Sequence, residues 1–349
     1  MYTVTPKQAR RAATENDVSP AANHEHRPCM EPFYGPHQSG IETTPQAHTT
    51  LLAFDLSDDI DRETFVALMR IISDDAARLT QGQAPLGDLS ATVAGNPARM
   101  TVTFGYGVKL LTKLGLESKL PHGSLEVPHH ECDPQWSNAD LLVQICADNE
   151  LAVLQAQRTM SRNLRTHMEF RWVQRGFRPR PDSTAYPFGL DDGQRVQPGT
   201  HEFNRTVWAG NRTGAPHWFS GGTTLVVRRI LTNTSQPNVP DNHAAPTEPR
   251  TKTGSGRTGD QPGRAPEPAE TIFQRNYRFE GEPAAFTPPE TGLLLLSYQG
   301  RIDQFTAAKK HLTAPELQSG NATTIGSSVF LIPPGCEYGG WVGDRLLDA

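Results

Sequence analysis

Cysteine is scarce: only Cys29, Cys132, Cys146 and Cys336 occur in 349 residues. No two share a CxxC spacing, so a disulfide scaffold is not expected and a reduced, cytoplasmic chain is. In that setting the Asn-x-Ser/Thr matches at Asn204, Asn211, Asn233 and Asn321 carry no glycosylation meaning. Long apolar runs are missing too. The four leucines Leu293 to Leu296 form as long a run as any, far short of the ~20 residues a membrane helix needs. Arg10-Arg11 resembles the start of a twin-arginine leader, but AATENDVSPAANHEH follows in place of an apolar region, so no signal peptide is expected. Positive charge is not in excess. Lys plus Arg number 33 against 38 Asp plus Glu, for a net charge of −5, and no basic stripe appears. That argues against nucleic acid as a partner. Gly-x-Ser-x-Gly and the P-loop and dinucleotide Gly-rich patterns are absent, which excludes the usual signatures of serine hydrolases and nucleotide binders.

Glycine (30) and proline (29) are plentiful, and hydrophobic residues make up 36%. The balance suits a packed core with long irregular connections. Residues 1–30 read as a polar, flexible arm. TTLLAFDL then predicts a buried strand, and DRETFVALMRIISDDAARL a helix with Phe65, Leu68, Met69, Ile72 and Ala76 at helical spacing. MTVTFGY reads as a strand, VKLLTKLGL as a short helix, DLLVQICAD as a strand, LAVLQAQRTMSRNLR as a helix and MEFRWVQRGF as a strand. The second half repeats the style with strands at GTTLVVRRILTN, TIFQRNYRF, GLLLLSYQ and SSVFLIPP and a helix at QFTAAKKHL. Residues 234 to about 270 are rich in Pro, Gly, Ser and Thr and read as a long loop. This order predicts an α+β chain in two related halves, 31–180 and 181–349, with antiparallel sheets flanked by helices.

Several polar groupings compete for function. GLDDG, Gly189 to Gly193, places two carboxylates between glycines, which suits either a tight turn or an acid held by one. His122, His129, His130 and Cys132 are metal-type donors in a loop without zinc spacing, and His24, His26 and Cys29 lie in the arm; neither set is read as a metal site. Arg228 and Arg229 are neighbours on a strand, so one faces in and the other out. The inward one could meet an anion in a pocket, although a salt bridge within the sheet is the favoured reading.

Seven segments, in order, resemble the dye-decolourising (DyP-type) peroxidases: EPFYGPHQSGIETTPQ, ADLLVQICADN, FRWVQRGF, GLDDG, HWFSGGTTLVVRRI, GLLLLSYQGRIDQFTAAKKHL and VFLIPPGCEYGGWVGDRL. The resemblance implies two ferredoxin-like halves of the dimeric α+β barrel kind and a haem b site in the second half. It implies a proximal His on the iron and a distal Asp and Arg beside the peroxide, the acid shuttling a proton and the cation stabilising the leaving oxygen. By that resemblance Asp192 is the distal acid and His37 a packing residue near the junction of the halves. The distal-Arg segment reads IFQRNY here. Gln274 takes the place of the distal Arg, and Arg275 matches the next position. No His lies between Arg250 and Ile272, and the nearest candidate for the axial ligand is His243.

These residues lead to the expectation of a DyP-like enzyme with a degenerate haem site, acting on a small metabolite with Asp192 as acid and base. An active haem peroxidase using His243 and Gln274, and a non-catalytic relative used for binding or assembly, are the alternatives. A small-molecule substrate and a possible homo-oligomer are expected, with no membrane partner.

Overall fold

The computed structural model describes residues 30–87, 95–121, 132–178, 196–232, 271–281, 289–308 and 322–348. Eight strands close into an antiparallel barrel. In chain order they are β1 (His48–Leu56), β2 (Thr101–Gly107), β3 (Leu141–Ala147), β4 (Met168–Phe177), β5 (Thr223–Thr232), β6 (Phe273–Glu280), β7 (Thr291–Gln299) and β8 (Ala322–Ile332). Around the barrel the order is β1-β3-β2-β8-β5-β7-β6-β4. The first four strands lie as 4-1-3-2 and so do the last four, which is the ferredoxin-like order taken twice. The two sets are sewn together by only a few pairs. Tyr106 and Gly107 of β2 meet Leu331 and Phe330 of β8, and Phe177 of β4 meets Arg278 of β6.

The helices lie outside the barrel. α1 (Arg62–Thr80) starts at Asp61, whose carboxylate accepts from the Thr64 amide at 2.8 Å. α2 (Val108–Lys113) is short. α3 (Glu150–Leu164) starts at Asn149, which caps the amides of Leu151 and Ala152. Such caps satisfy amide groups that helix geometry leaves orphaned. α4 (His201–Val207) starts at Thr200, and α5 (Ile302–Ala308) and α6 (Asp344–Leu347) follow. The helix expected at QFTAAKKHL thus begins two residues earlier, at Ile302. No helix among the described residues is long and apolar enough to cross a membrane.

Strand alternation sorts the side chains onto two faces. Inside the barrel, Leu51, Leu142, Leu225, Val227, Phe273, Tyr277, Phe279, Leu294, Leu296, Tyr298 and Phe330 form one buried cluster. α1 and α3 cover the outer face of the first set and build a second cluster, which includes Phe65, Met69, Ile72, Val143, Ile145 and Met160. The third cluster lies on the outer face of the second set. Val226, Ile230, Leu293, Leu295 and Val329 contribute from the sheet, and Ile302, Phe305 and Ala308 from α5.

Candidate functional site

The outer face of the second set of strands carries the candidate site. The register defines it row by row, because cross-strand partners share a face. In one row Ser327 of β8, Arg228 of β5, Leu295 of β7 and Asn276 of β6 lie side by side. In the next, Val329, Val226, Ser297 and Gln274 do so. These two rows are therefore apolar with one cation in them and a polar border, and Arg278 lies on the same face one row further on, beside Leu293. Ser297 donates to the Gln299 side chain at 2.7 Å, and the Asn276 amide donates to Gln274 at 3.2 Å.

Gln274 and Arg275 are consecutive on β6 and point to opposite faces. Gln274 stays with the outer face. Arg275 turns into the barrel, where it is fully buried. It donates to the carbonyl of Ile41 at 3.1 Å, to the carbonyl of Thr43 and to Gln46 Oε1 at 2.9 Å. Burial opposes its charge, but Tyr277, Cys146 and Tyr298 around it outweigh that and raise its pKa. Arg275, expected as a site residue, is thus a clamp that ties β6 to the chain ahead of β1. Gln46 continues the clamp by donating to the Arg99 carbonyl at 2.8 Å. Asp192 and His243, the other two expected site residues, lie outside the described residues, as do His122, His129 and His130.

The neighbouring arginines also separate. Arg229 faces inward. It sits over the rings of Trp136 and Phe279 at 4.2 and 4.6 Å, donates to Gln174 at 2.7 Å and pairs with Glu290 at 2.9 Å. This is the salt bridge expected of the inward residue. Arg228 faces outward, 6% exposed, with its guanidinium 5.1 Å from the centre of the Phe305 ring. Its Nε and one terminal nitrogen have no hydrogen-bond partner. Burial lowers its pKa, and Cys132 opposes that shift. The outward arginine, not the inward one, is the cation without an acceptor. Ser327, its partner on β8, also has a buried hydroxyl without a hydrogen-bond partner. Ser327 heads the strand expected at SSVFLIPP, but nothing in the sequence singles it out for function; β8 begins at Ala322, five residues before the expected start, because ATTIG shows no apolar alternation.

His37 and Gln38 of the N-terminal segment hold the frame. His37 Nδ1 donates to the Gly221 carbonyl at 2.6 Å, and its ring stacks on Trp208 at 3.7 Å with planes 3° apart. Burial lowers its pKa, against the Gly221 bond and Glu42. The buried Gln38 amide donates to the carbonyls of Phe104 and Pro333, each at 3.0 Å, and accepts from the Phe104 amide at 2.8 Å. A separate open cleft of about 680 Å³ lies between α4 and α5, where Arg205, Arg212 and Arg301 gather; Arg301 is already paired with Asp303.

A porphyrin site of the peroxidase kind needs an iron ligand and a distal cation. Among the described residues, the outer face presents no His, Cys, Met or Tyr on the rows around Arg228, and an amide at 274. No group of three or more metal-type donors occurs among the described residues either. The candidate axial ligand His243 and the candidate distal acid Asp192 lie outside the described residues, which supply Gln274 and Arg228 on this face.

An eight-stranded antiparallel barrel made of two ferredoxin-like sets defines a dimeric α+β barrel architecture. The family model for the N-terminal part of DyP-type peroxidases matches residues 38–178. A DyP-type peroxidase structure from Cellulomonas bogoriensis is similar over 92% of this chain and 99% of its own, with a TM-score of 0.79 and 29% identity. An oxyferrous complex of DtpA from Streptomyces lividans is similar over 91% and 97%, with a TM-score of 0.73 and 28% identity. The chain is similar to DyP-type peroxidases over most of its length. Among curated proteins, the deferrochelatase of Escherichia coli strain K12 is 30% identical over 238 residues, 61% of this chain and 55% of that one. The deferrochelatase of Yersinia pestis is 28% identical over 232 residues, 60% of this chain and 53% of that one. The chain spans about half the length of the curated relatives it matches.

Proposed function

We propose that this chain is a divergent DyP-type protein that works without haem, as an enzyme on a small metabolite with Asp192 as its acid and base. One observation supports the reading: Gln274, which the resemblance sets at the distal-Arg position, lies on the outer face as a neutral amide, and the neighbouring Arg275 is spent inside the barrel on the carbonyls of Ile41 and Thr43. A neutral amide has neither the charge nor the forked donors that stabilise a developing oxyanion. A carboxyl group needs neither iron nor peroxide to move a proton between two positions of a bound molecule. Two experiments test this. The purified chain loaded with hemin should give no stoichiometric Soret band. With a substrate found by screening, Asp192→Asn should abolish turnover and leave binding within a few-fold; turnover kept in that variant removes Asp192 from the mechanism.

The second reading is a haem-dependent peroxidase with His243 as axial ligand and Gln274 as distal donor. The likeness to DtpA, solved as an oxyferrous complex, favours it. A Soret band that disappears in His243→Ala would establish it.

A further inference from the structure

Two buried polar side chains on the outer face of the second set of strands stand next to each other without partners. Arg228 and Ser327 are cross-strand neighbours on β5 and β8, which places their Cβ atoms ~5 Å apart on one face. Arg228 is 6% exposed and Ser327 1%. The guanidinium Nε, one of its terminal nitrogens and the Ser327 hydroxyl all lack a hydrogen-bond partner. Buried donors are nearly always satisfied in folded proteins, and a buried cation without a counter-charge is costlier still. Arg229, one residue on, shows the ordinary solution, with Gln174 and Glu290 both accepting from it. Phe305 gives Arg228 a ring face, which supplies no acceptor for its N–H groups.

The chemistry of the missing group follows from the donors. A guanidinium offers N–H groups in one plane, and a hydroxyl beside it offers one more. A planar acceptor with two oxygens and a negative charge satisfies them together, which describes a carboxylate. An amine would be repelled, and a neutral amide would leave the charge uncompensated. The surroundings set the rest of the ligand. Val226, Leu295, Val329 and Phe305 form an apolar, aromatic wall around the pair.

We infer that Arg228 and Ser327 bind the carboxylate of a small acid whose apolar body lies against Val226, Leu295, Val329 and Phe305. This rests on the proposed function above and gives its substrate class. A free metabolite acid and a porphyrin side chain both carry such a carboxylate, and the experiment separates them.

Calorimetric titrations use three probes, 3-phenylpropionate, its amide and hemin, on the full chain and on the Arg228→Met and Ser327→Ala variants. 3-Phenylpropionate binds the full chain, and the amide binds at least about tenfold more weakly, since a charged partner adds of order one tenfold step or more in affinity. Arg228→Met weakens the acid by about tenfold or more, and Ser327→Ala does so by a smaller factor. Without ligand, Arg228→Met melts no lower than the parent, because it removes a buried charge that nothing compensates. Failure of 3-phenylpropionate to bind, equal binding of acid and amide, or equal binding by the parent and Arg228→Met overturns the inference. So does an Arg228→Met chain that melts well below the parent, for that makes the residue a structural cation. Hemin then separates the two readings. A stoichiometric Soret band weakened by Arg228→Met keeps the carboxylate site and overturns the haem-free function. A band that Arg228→Met leaves intact overturns both, and acid binding with no band supports both.

Discussion

A single change of facing decides what β6 can contribute. Consecutive residues on a strand point to opposite faces, so the sequence QR gives one side chain to each. Arg275 is taken by the interior, and its removal should be severe. Arg275→Met leaves the carbonyls of Ile41 and Thr43 and the Gln46 amide oxygen without their donor, and denaturant titration should report a loss of about 3–5 kcal/mol. A loss under about 1 kcal/mol would mean the clamp is not a stabilising unit. Cys336 offers a second test at this scale. It is 3% exposed, and burial, with Asp344 nearby, pushes its thiol up to about 12. Nucleophilic attack needs the thiolate. Alkylation at pH 8 followed by mass spectrometry should leave Cys336 unmodified in the folded chain and label it after unfolding. Rapid labelling of the folded chain would show that the thiol is neither buried nor suppressed. Residue roles were only partly legible in the sequence. The alternation of VVRRI declares that Arg228 and Arg229 part company, yet it cannot say which face is which. That depends on register against β7 and β8, which pairs residues more than sixty positions apart.

Elements were more legible than the joints between them. β4 runs from Met168 to Phe177 as its alternation predicts, and α1 follows the spacing of Phe65, Leu68, Met69, Ile72 and Ala76. The expected β8 was short because Ala322, Thr323, Thr324 and Gly326 carry no apolar period, although they pair with β5. Closure of the barrel was not legible as a local pattern, since it rests on single pairs such as Phe177 with Arg278. The stack of His37 on Trp208 is another joint, and it titrates. Burial holds the folded pKa of His37 below its ordinary value of 6.5, so the unfolded chain takes up the proton first as pH falls. The stability it contributes is full above pH 6.5 and is lost as pH falls from there through the folded pKa. Melting temperatures measured between pH 7.5 and about 5 should fall, and His37→Phe, which keeps an aromatic ring for the stack, should flatten part of that fall. Identical pH profiles for the two chains would remove His37 from the joint. Gly107 tests the path of β2 into α2. A Cβ there would clash with the Ala139 carbonyl oxygen, so Gly107→Ala should yield little folded protein by circular dichroism.

At the scale of the molecule, the barrel gives two outer faces with different fates. α1 and α3 close one with mainly apolar packing and a satisfied Asn163–Asp75 bond between them, whereas the other keeps a buried cation, a lone hydroxyl and an amide border beneath α5. A face closed purely for stability has no use for an uncompensated charge, and fold alone does not assign its chemistry. The barrel is similar to that of DyP-type peroxidase structures, and residue 274 on that face is a neutral glutamine. The central claim is that this scaffold now works without haem. One absorbance spectrum of the full chain, expressed with added haem precursor and titrated with hemin, tests it most directly. The account predicts no stoichiometric Soret band. A one-to-one band that vanishes in His243→Ala would contradict it.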